Sequence, residues 1–193
     1  MAKVCVLHGH PHGDAGHLCA ALGKAYVDGA REAGHEVEQI RLAELTFDLL
    51  SNPDDFSAPP PEPILSEREK IAACDHLLVV FPLWLGSAPA RLRGFFEQAA
   101  RANFFLADGD AEHAPGGKMK GKSARLVVTM GMPGLVYKTW FGAHSLKGIE
   151  KGVFGMAGFK PVEHTIFGMV EGDDDARRRK WLDEMFALGA KAK

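Results

Sequence analysis

Residues 77–97 read LLVVFPLWLGSAPARLRGFFE. The first five are an unbroken apolar run with two valines, the pattern of a strand covered on both faces. Pro82 cannot donate to a central ladder, so the strand is expected to end at Phe81. A loop holding Trp84 and Gly86 follows, Pro89 stands where a helix begins without losing a useful N–H, and Leu92, Phe95 and Phe96 then recur at helical spacing. The loop PLWLGSA therefore lies at the C-terminal end of a buried parallel strand, the edge at which open α/β sheets bind ligands. Trp84 and Leu83 either face a ligand there or cover the start of the helix, and spacing alone leaves both open.

Outward from this stretch the chain repeats the same unit. Residues 3–8, KVCVLH, form a β-branched run that breaks at Gly9, followed by the loop GHPHGDAGH and a helix expected over residues 16–33. Residues 35–42 alternate imperfectly, as a strand nearer the sheet edge does. The Pro-rich segment 52–63 predicts a stiff, extended surface loop, and residues 66–74 a short helix with Ser66 and Glu69 in capping-box spacing. Residues 102–121 read as a long functional loop. Further strands are expected over 123–129 and 161–167, with helices over 146–156 and 174–190. The Asp173, Asp174, Asp175 run complements the dipole at the start of the last helix.

Five strands alternating with helices predict an α/β fold, a doubly wound parallel sheet in a single domain spanning 1–193. With the order 2-1-3-4-5 the crevice between strands 1 and 3 is the topological switch point, where loops 9–17 and 82–88 face each other. The free N–H groups at the start of the first helix suit a phosphate.

Composition excludes other classes. With 193 residues, 46% hydrophobic, and a formal net charge of −2, the chain is long enough for a full core and has no electrostatic footprint for nucleic acid. No apolar run approaches a membrane span and residues 1–7 are too short for a signal peptide, so a cytoplasmic protein without membrane insertion is expected. Three scattered cysteines, Cys5, Cys19 and Cys74, predict buried reduced thiols. His8, His10 and His12 alternate, yet Gly9 and Pro11 break the strand and no carboxylate or cysteine stands at ligand spacing, so no metal is expected.

GHP at 9–11, FPLW followed by P-x-x-L over 81–92, the strand ending in Thr129 and the downstream Tyr137 together resemble the NAD(P)H:quinone oxidoreductase family, with its flavodoxin-like fold, over nearly the whole chain. The resemblance implies FAD or FMN as cofactor, NAD(P)H as electron donor, a quinone-like acceptor, two-electron ping-pong turnover and a homodimer, for whose interface the aromatic residues Phe95, Phe96, Phe104 and Phe105 beside the loop are the candidates. It aligns His10 with a histidine near the cofactor phosphates, and His17 and Leu18 with the turn into the first helix. Pro82, Leu83, Trp84 and Leu85 correspond to the loop flanking the isoalloxazine, and Thr129, Met130, Gly131 and Met132 to the second loop lining it. Tyr137 falls on an active-site tyrosine, as acceptor hydrogen-bond donor, and His144 lies near an active-site histidine, as proton relay. The chain departs from the family where residues 14–19, DAGHLC, replace a Ser-aromatic-Asn pattern, and where Met130 and Met132 replace a Thr-Gly-Gly type loop, which predicts a more apolar ring environment. Relatives of the family also act as regulatory subunits of potassium efflux systems, the alternative function; a one-electron carrier is disfavoured by the lack of an acidic docking surface.

Overall fold

The computed structural model describes residues 1–107, 116–172 and 174–193. Five parallel strands, β1 (Lys3–His8), β2 (Glu36–Arg41), β3 (His76–Pro82), β4 (Ser123–Met130) and β5 (Val162–Gly168), form one sheet in the order β2-β1-β3-β4-β5. The helices are α1 (Leu18–Glu32), α2 (Ile64–Ala73), α3 (Ala90–Ala99), α4 (Gly134–Thr139), α5 (His144–Gly148) and α6 (Asp175–Ala190). This is the flavodoxin-like order expected, with β1 and β3 adjacent at the point where the winding reverses.

The period-2 geometry of the strands sorts the core into two layers. Cys5, Leu7, Leu77, Val79, Phe81, Leu126 and Val128 face α2, α3 and the segment around α5, while Val4, Val6, Leu78, Val80 and Val127 face α1 and α6. Each such side chain contributes roughly 1.5–3 kcal/mol by leaving water, so β1, β3 and β4 dominate the stability. β2 and β5 lie at the edges, with mostly exposed or half-buried side chains. All three cysteines are free and buried.

β3 runs one residue past the expected stop and includes Pro82, paired with Thr129. Leu83 N–H donates to Thr129 O at 2.8 Å, so the alternation of strand groups turns the Pro82 nitrogen toward the β1 side. β1 has already ended there, its last pairing being His8 with Val80, so the missing N–H falls beyond the β1 ladder.

Other expectations are corrected in the same way. α2 starts at Ile64, and Ser66 is inside it: Ser66 N–H and Oγ–H donate to the Glu62 carboxylate at 3.2 and 2.8 Å, so the acid sits ahead of the helix instead of three residues into it. The Pro-rich loop contains a 3₁₀ turn, Pro53–Ser57, capped by Asn52 and pinned by Arg101 Nε to Asp55 O at 2.7 Å. The helix expected over 146–156 begins at His144 and widens to π geometry over Ile149–Gly155. Residues 108–115, within the loop expected to be functional, and Asp173 lie outside the described residues; the loop's flanks pair, Ala107 N–H donating to Gly116 O at 2.7 Å. The dipole reading holds for Asp174, whose side chain accepts from Arg177 N–H at 2.9 Å.

Beneath α1, at the end of the sheet remote from the crevice, a polar group interrupts the second apolar layer. His76 is 3% exposed, its Nδ1 2.7 Å from Ser123 Oγ, and its ring stacks on Tyr26. The His76 Nε2 has no hydrogen-bond partner among the described residues, and Arg125, itself paired to Glu163 and bonded to Thr165, faces the same space. Burial, with the Arg125 charge behind it, pushes His76 down to about 4. The folded chain therefore resists a proton that the unfolded chain accepts below about 6.5, so stability falls as pH drops from there toward 4. Urea melts should show a loss of about 2 kcal/mol between about pH 7.5 and 5 from this group. His8, also lowered chiefly by burial, adds in the same direction. His76→Gln should flatten most of the slope; an unchanged slope would assign it to other groups.

Candidate functional site

The C-terminal ends of β1 and β3 stay together for one bond beyond β1: Gly9 N–H donates to Val80 O at 2.8 Å. The chain after β1 then folds into a compact loop, residues 10–17. Asp14 Oδ1 accepts from Gly16 N–H at 2.8 Å, an Asx turn that holds the Asp14 carboxyl below its usual range and brings His17 back over the loop. The ring of His17 stacks on His10 at 4.0 Å, and His12 N–H donates to His10 Nδ1 at 3.1 Å. Partial burial and the neighbouring His17 imidazole lower His10.

The three alternating histidines do not share one face. His8 is under α1 and bonds Gln39 at 3.0 Å, whereas His10 and His12 belong to the loop. The expectation that no carboxylate accompanies them fails: one ligand atom each from His12, Asp14 and His17 lie within 4.8 Å of one another. Strand-period reasoning missed this set because the Asx turn, not an extended run, brings it together.

α1 begins at Leu18 with His17 as N-cap, and no side chain caps it. The amides of Leu18 and Cys19 have no acceptor among the described residues and open at the crevice end of the helix.

From the other side, Trp84 and Ser87 exchange two backbone bonds of 2.8 and 2.9 Å around Leu85 and Gly86. Both central residues have positive φ, +48° and +76°, the signature of a type I′ turn. Glycine adopts this freely, but leucine does so at a cost of the order of 1 kcal/mol or more. The turn holds Leu85 fully exposed and Trp84 48% exposed. The Trp84 ring stands edge-on to His10 at 5.8 Å, so the two loops meet across the crevice between β1 and β3.

The loop after β4 completes the edge. Thr129 is buried, its Oγ1 3.2 Å from Cys19 Sγ, and burial raises that thiol to about 11. The Met130 side chain is buried in the first core layer, so only its backbone is available to a ligand; of the two methionines only Met132 is half-exposed. Gly131 and Met132 N–H have no acceptor among the described residues, and a Cβ on Gly131 would meet Glu171 Oε1 at 3.1 Å. Glu171 arrives from the β5–α6 connection and has no signal in the sequence.

His10, His17, Leu18, Pro82, Leu83, Trp84, Leu85, Thr129, Met130, Gly131 and Met132 all lie along this edge. Tyr137 differs. It is 2% exposed and packs in the first core layer, with its hydroxyl 3.5 Å from Gly86 O. Burial raises its pKa. His144 is exposed at the start of α5, its ring over Gly142. α4, six residues long and too short for a periodic signal, turns Tyr137 inward and leaves Leu135 and Val136 exposed, with Trp140 and Phe141 beyond it. The phenylalanines singled out for an interface, Phe95, Phe96 and Phe105, are core residues, and Phe104 is half-buried under Arg68. A cavity of about 210 Å³ lies away from the crevice, between α3 and the π-helical segment; the cleft bounded by His8, His10, Asp14, His17 and Arg41 is about 50 Å³.

The fold and the edge define a doubly wound α/β protein with a three-loop crevice at its switch point. A family model of the flavodoxin-like fold matches residues 2–187, and the chain belongs to that family. It is 30% identical over 134 residues, 69% of this chain and 65% of the relative, to an uncharacterized NAD(P)H oxidoreductase of Haemophilus influenzae. Among solved structures it is similar to NAD(P)H:quinone oxidoreductase from Methanothermobacter marburgensis, with TM-score 0.84 and 22% identity over 100% of this chain and 99% of that one. It is also similar to an FMN-dependent NADH-azoreductase from Bacillus anthracis in complex with FMN, with TM-score 0.79 and 13% identity over 99% of each chain. The chain spans about two thirds of the length of the curated relatives it matches. Among the described residues no helix is long and apolar enough to cross a membrane.

Proposed function

We propose that the protein is a flavin-dependent NAD(P)H oxidoreductase that reduces quinone-like acceptors by two electrons in ping-pong fashion. The observation that carries this reading is the meeting of His10 and Trp84 across the switch-point crevice, with unbonded amides on both sides. The residues present fit a phosphorylated planar cofactor. Leu18 and Cys19 N–H at the α1 terminus, with His10 and His17 beside them, form the phosphate end. Pro82, Leu83, Trp84 and Leu85 supply an apolar wall for the ring, and Thr129 to Met132 line its other side mainly through the backbone.

A bound flavin supplies the hydride and electron chemistry that no side chain here provides. The Gly131 and Met132 N–H groups, unbonded among the described residues, would favour negative charge developing on a cofactor held in the crevice. Tyr137 acts by holding the Leu85–Gly86 turn through Gly86 O, and donates to an acceptor only if that long bond opens. His144, exposed beside the same wall, is the proton relay. The exposed Leu135, Val136, Trp140 and Phe141 form the apolar surface that a second copy covers in a homodimer. The B. anthracis neighbour's FMN makes FMN the first cofactor to test.

Purified protein should be yellow, bleach on adding NADH or NADPH, regain colour with a quinone, release one identifiable flavin on denaturation, and sediment at twice the chain mass. A preparation that binds neither FMN nor FAD on addition would overturn the cofactor reading.

A further inference from the structure

We propose that His12, Asp14 and His17 form a site for a zinc-class divalent cation at the phosphate end of the crevice. His12 Nδ1 and His17 Nε2 are 3.0 Å apart, and the set with an Asp14 oxygen spans no more than 4.8 Å. Two imidazole nitrogens at roughly 2.0–2.1 Å from a tetrahedral zinc ion stand about 3.3 Å apart, so the pair needs to open by only a few tenths of an ångström. Without a cation one proton serves both nitrogens. With one, each nitrogen directs its lone pair at the metal.

The loop is built to hold these atoms. Asp14 Oδ1 takes the Gly16 N–H and so leaves Oδ2 free as a ligand, while the His10 ring lies flat on His17 and fixes its plane. Second contacts of this kind orient metal ligands. Two imidazoles and one carboxylate select zinc, nickel, cobalt or copper over magnesium and calcium, which prefer all-oxygen shells. Three protein ligands leave one coordination position open.

The open position explains a shortage of charge. Residues 9–17 contain no lysine or arginine, and His12 and His17 border the same cleft as the α1 terminus. Among the described residues lining this cleft Arg41 is the one lysine or arginine, so a dication there adds positive charge for an anionic phosphate group to that of the helix end and Arg41. This second half rests on the flavin reading; the cation site itself does not.

The test uses untagged, chelator-treated full-length protein. Titration with Zn²⁺ against a chromophoric indicator should give one tight equivalent. His12→Ala, His17→Ala and Asp14→Asn should each weaken it at least tenfold, while His164→Ala, remote on β5, should leave it unchanged. Asp14→Asn retains an acceptor for Gly16 N–H, so its effect reads ligand charge and not loop collapse. Zinc uptake that is equal in the wild type and the His12→Ala/His17→Ala double variant overturns the site. FMN and riboflavin are then titrated with and without one equivalent of Zn²⁺. Zinc should tighten FMN several-fold and leave riboflavin unchanged; equal effects on both would overturn the phosphate role. Failure to bind either flavin under any condition, with zinc binding intact, would count against the flavin reading alone.

Discussion

Gly189→Ala should lower the folding free energy by about 3 kcal/mol, an effect at the upper end of what overpacking produces. A Cβ at this position would lie 2.0 Å from the Tyr26 carbonyl oxygen of α1, and one at Gly29 would lie 2.1 Å from Phe186 O of α6. Backbone meets backbone at both points, so no rotamer change relieves the clash and the two helices must move apart. Separation would loosen Met185 and Tyr26, both fully buried, from the layer they share with Val4, Val6 and Leu78. In a chain of this size the loss corresponds to roughly 10 °C in Tm. Gly148→Ala, where an added Cβ meets nothing within 4 Å, is the control and should be neutral or stabilising by up to about 1 kcal/mol. Urea and thermal melts of the two variants measure the difference. A cost below about 1 kcal/mol for Gly189→Ala would show that α1 and α6 can separate without disturbing the core.

Some of this architecture was legible in the sequence because its signals are local. The apolar runs of β1, β3 and β4 are covered on both faces, and a five-unit alternation of strand and helix leaves few topologies. The strand stop expected before Pro82 comes after it, because whether a missing N–H matters depends on which neighbour lies opposite, and β1 has already ended. The phenylalanines failed as an interface signal for a related reason. Phe95, Phe96 and Phe105 are as apolar as the exposed Trp140 and Phe141, and only tertiary packing decides which are covered. Met130 shows the same limit, since a side chain at a strand end points inward or outward according to register. The site was legible as two facing loops, through the switch-point rule. What escaped was whatever depends on loop shape: the return of His17 onto His12 through the Asp14 turn, and the arrival of Glu171 beside Gly131 from forty residues away. Such contacts have no periodicity to betray them.

Trp84→Ala should reduce flavin affinity roughly tenfold to a hundredfold, the range that removal of one stacking aromatic produces for a planar ligand, while changing apoprotein stability by no more than about 0.5 kcal/mol. The split follows from where the ring lies. Trp84 is 48% exposed and belongs to neither core layer, its one ring partner among the described residues is His10 across the crevice, and its backbone bonds to Ser87 survive truncation to alanine. A scaffold tryptophan would behave in the opposite way, since deleting a buried one costs about 3–5 kcal/mol. Tyr137→Ala supplies the contrast: that ring is buried beneath the same turn, and its loss should cost stability first and flavin affinity only through the turn it supports. Fluorescence titration of FMN and FAD, paired with urea melts of each apoprotein, separates the cases. If Trp84→Ala melts several kcal/mol below the wild type yet binds flavin as well, the turn is scaffold and the crevice at β1 and β3 loses its apolar wall. If affinity falls and the melt does not move, the strained Leu85 backbone has a function, because the positive-φ turn is then what presents Trp84 to the ligand.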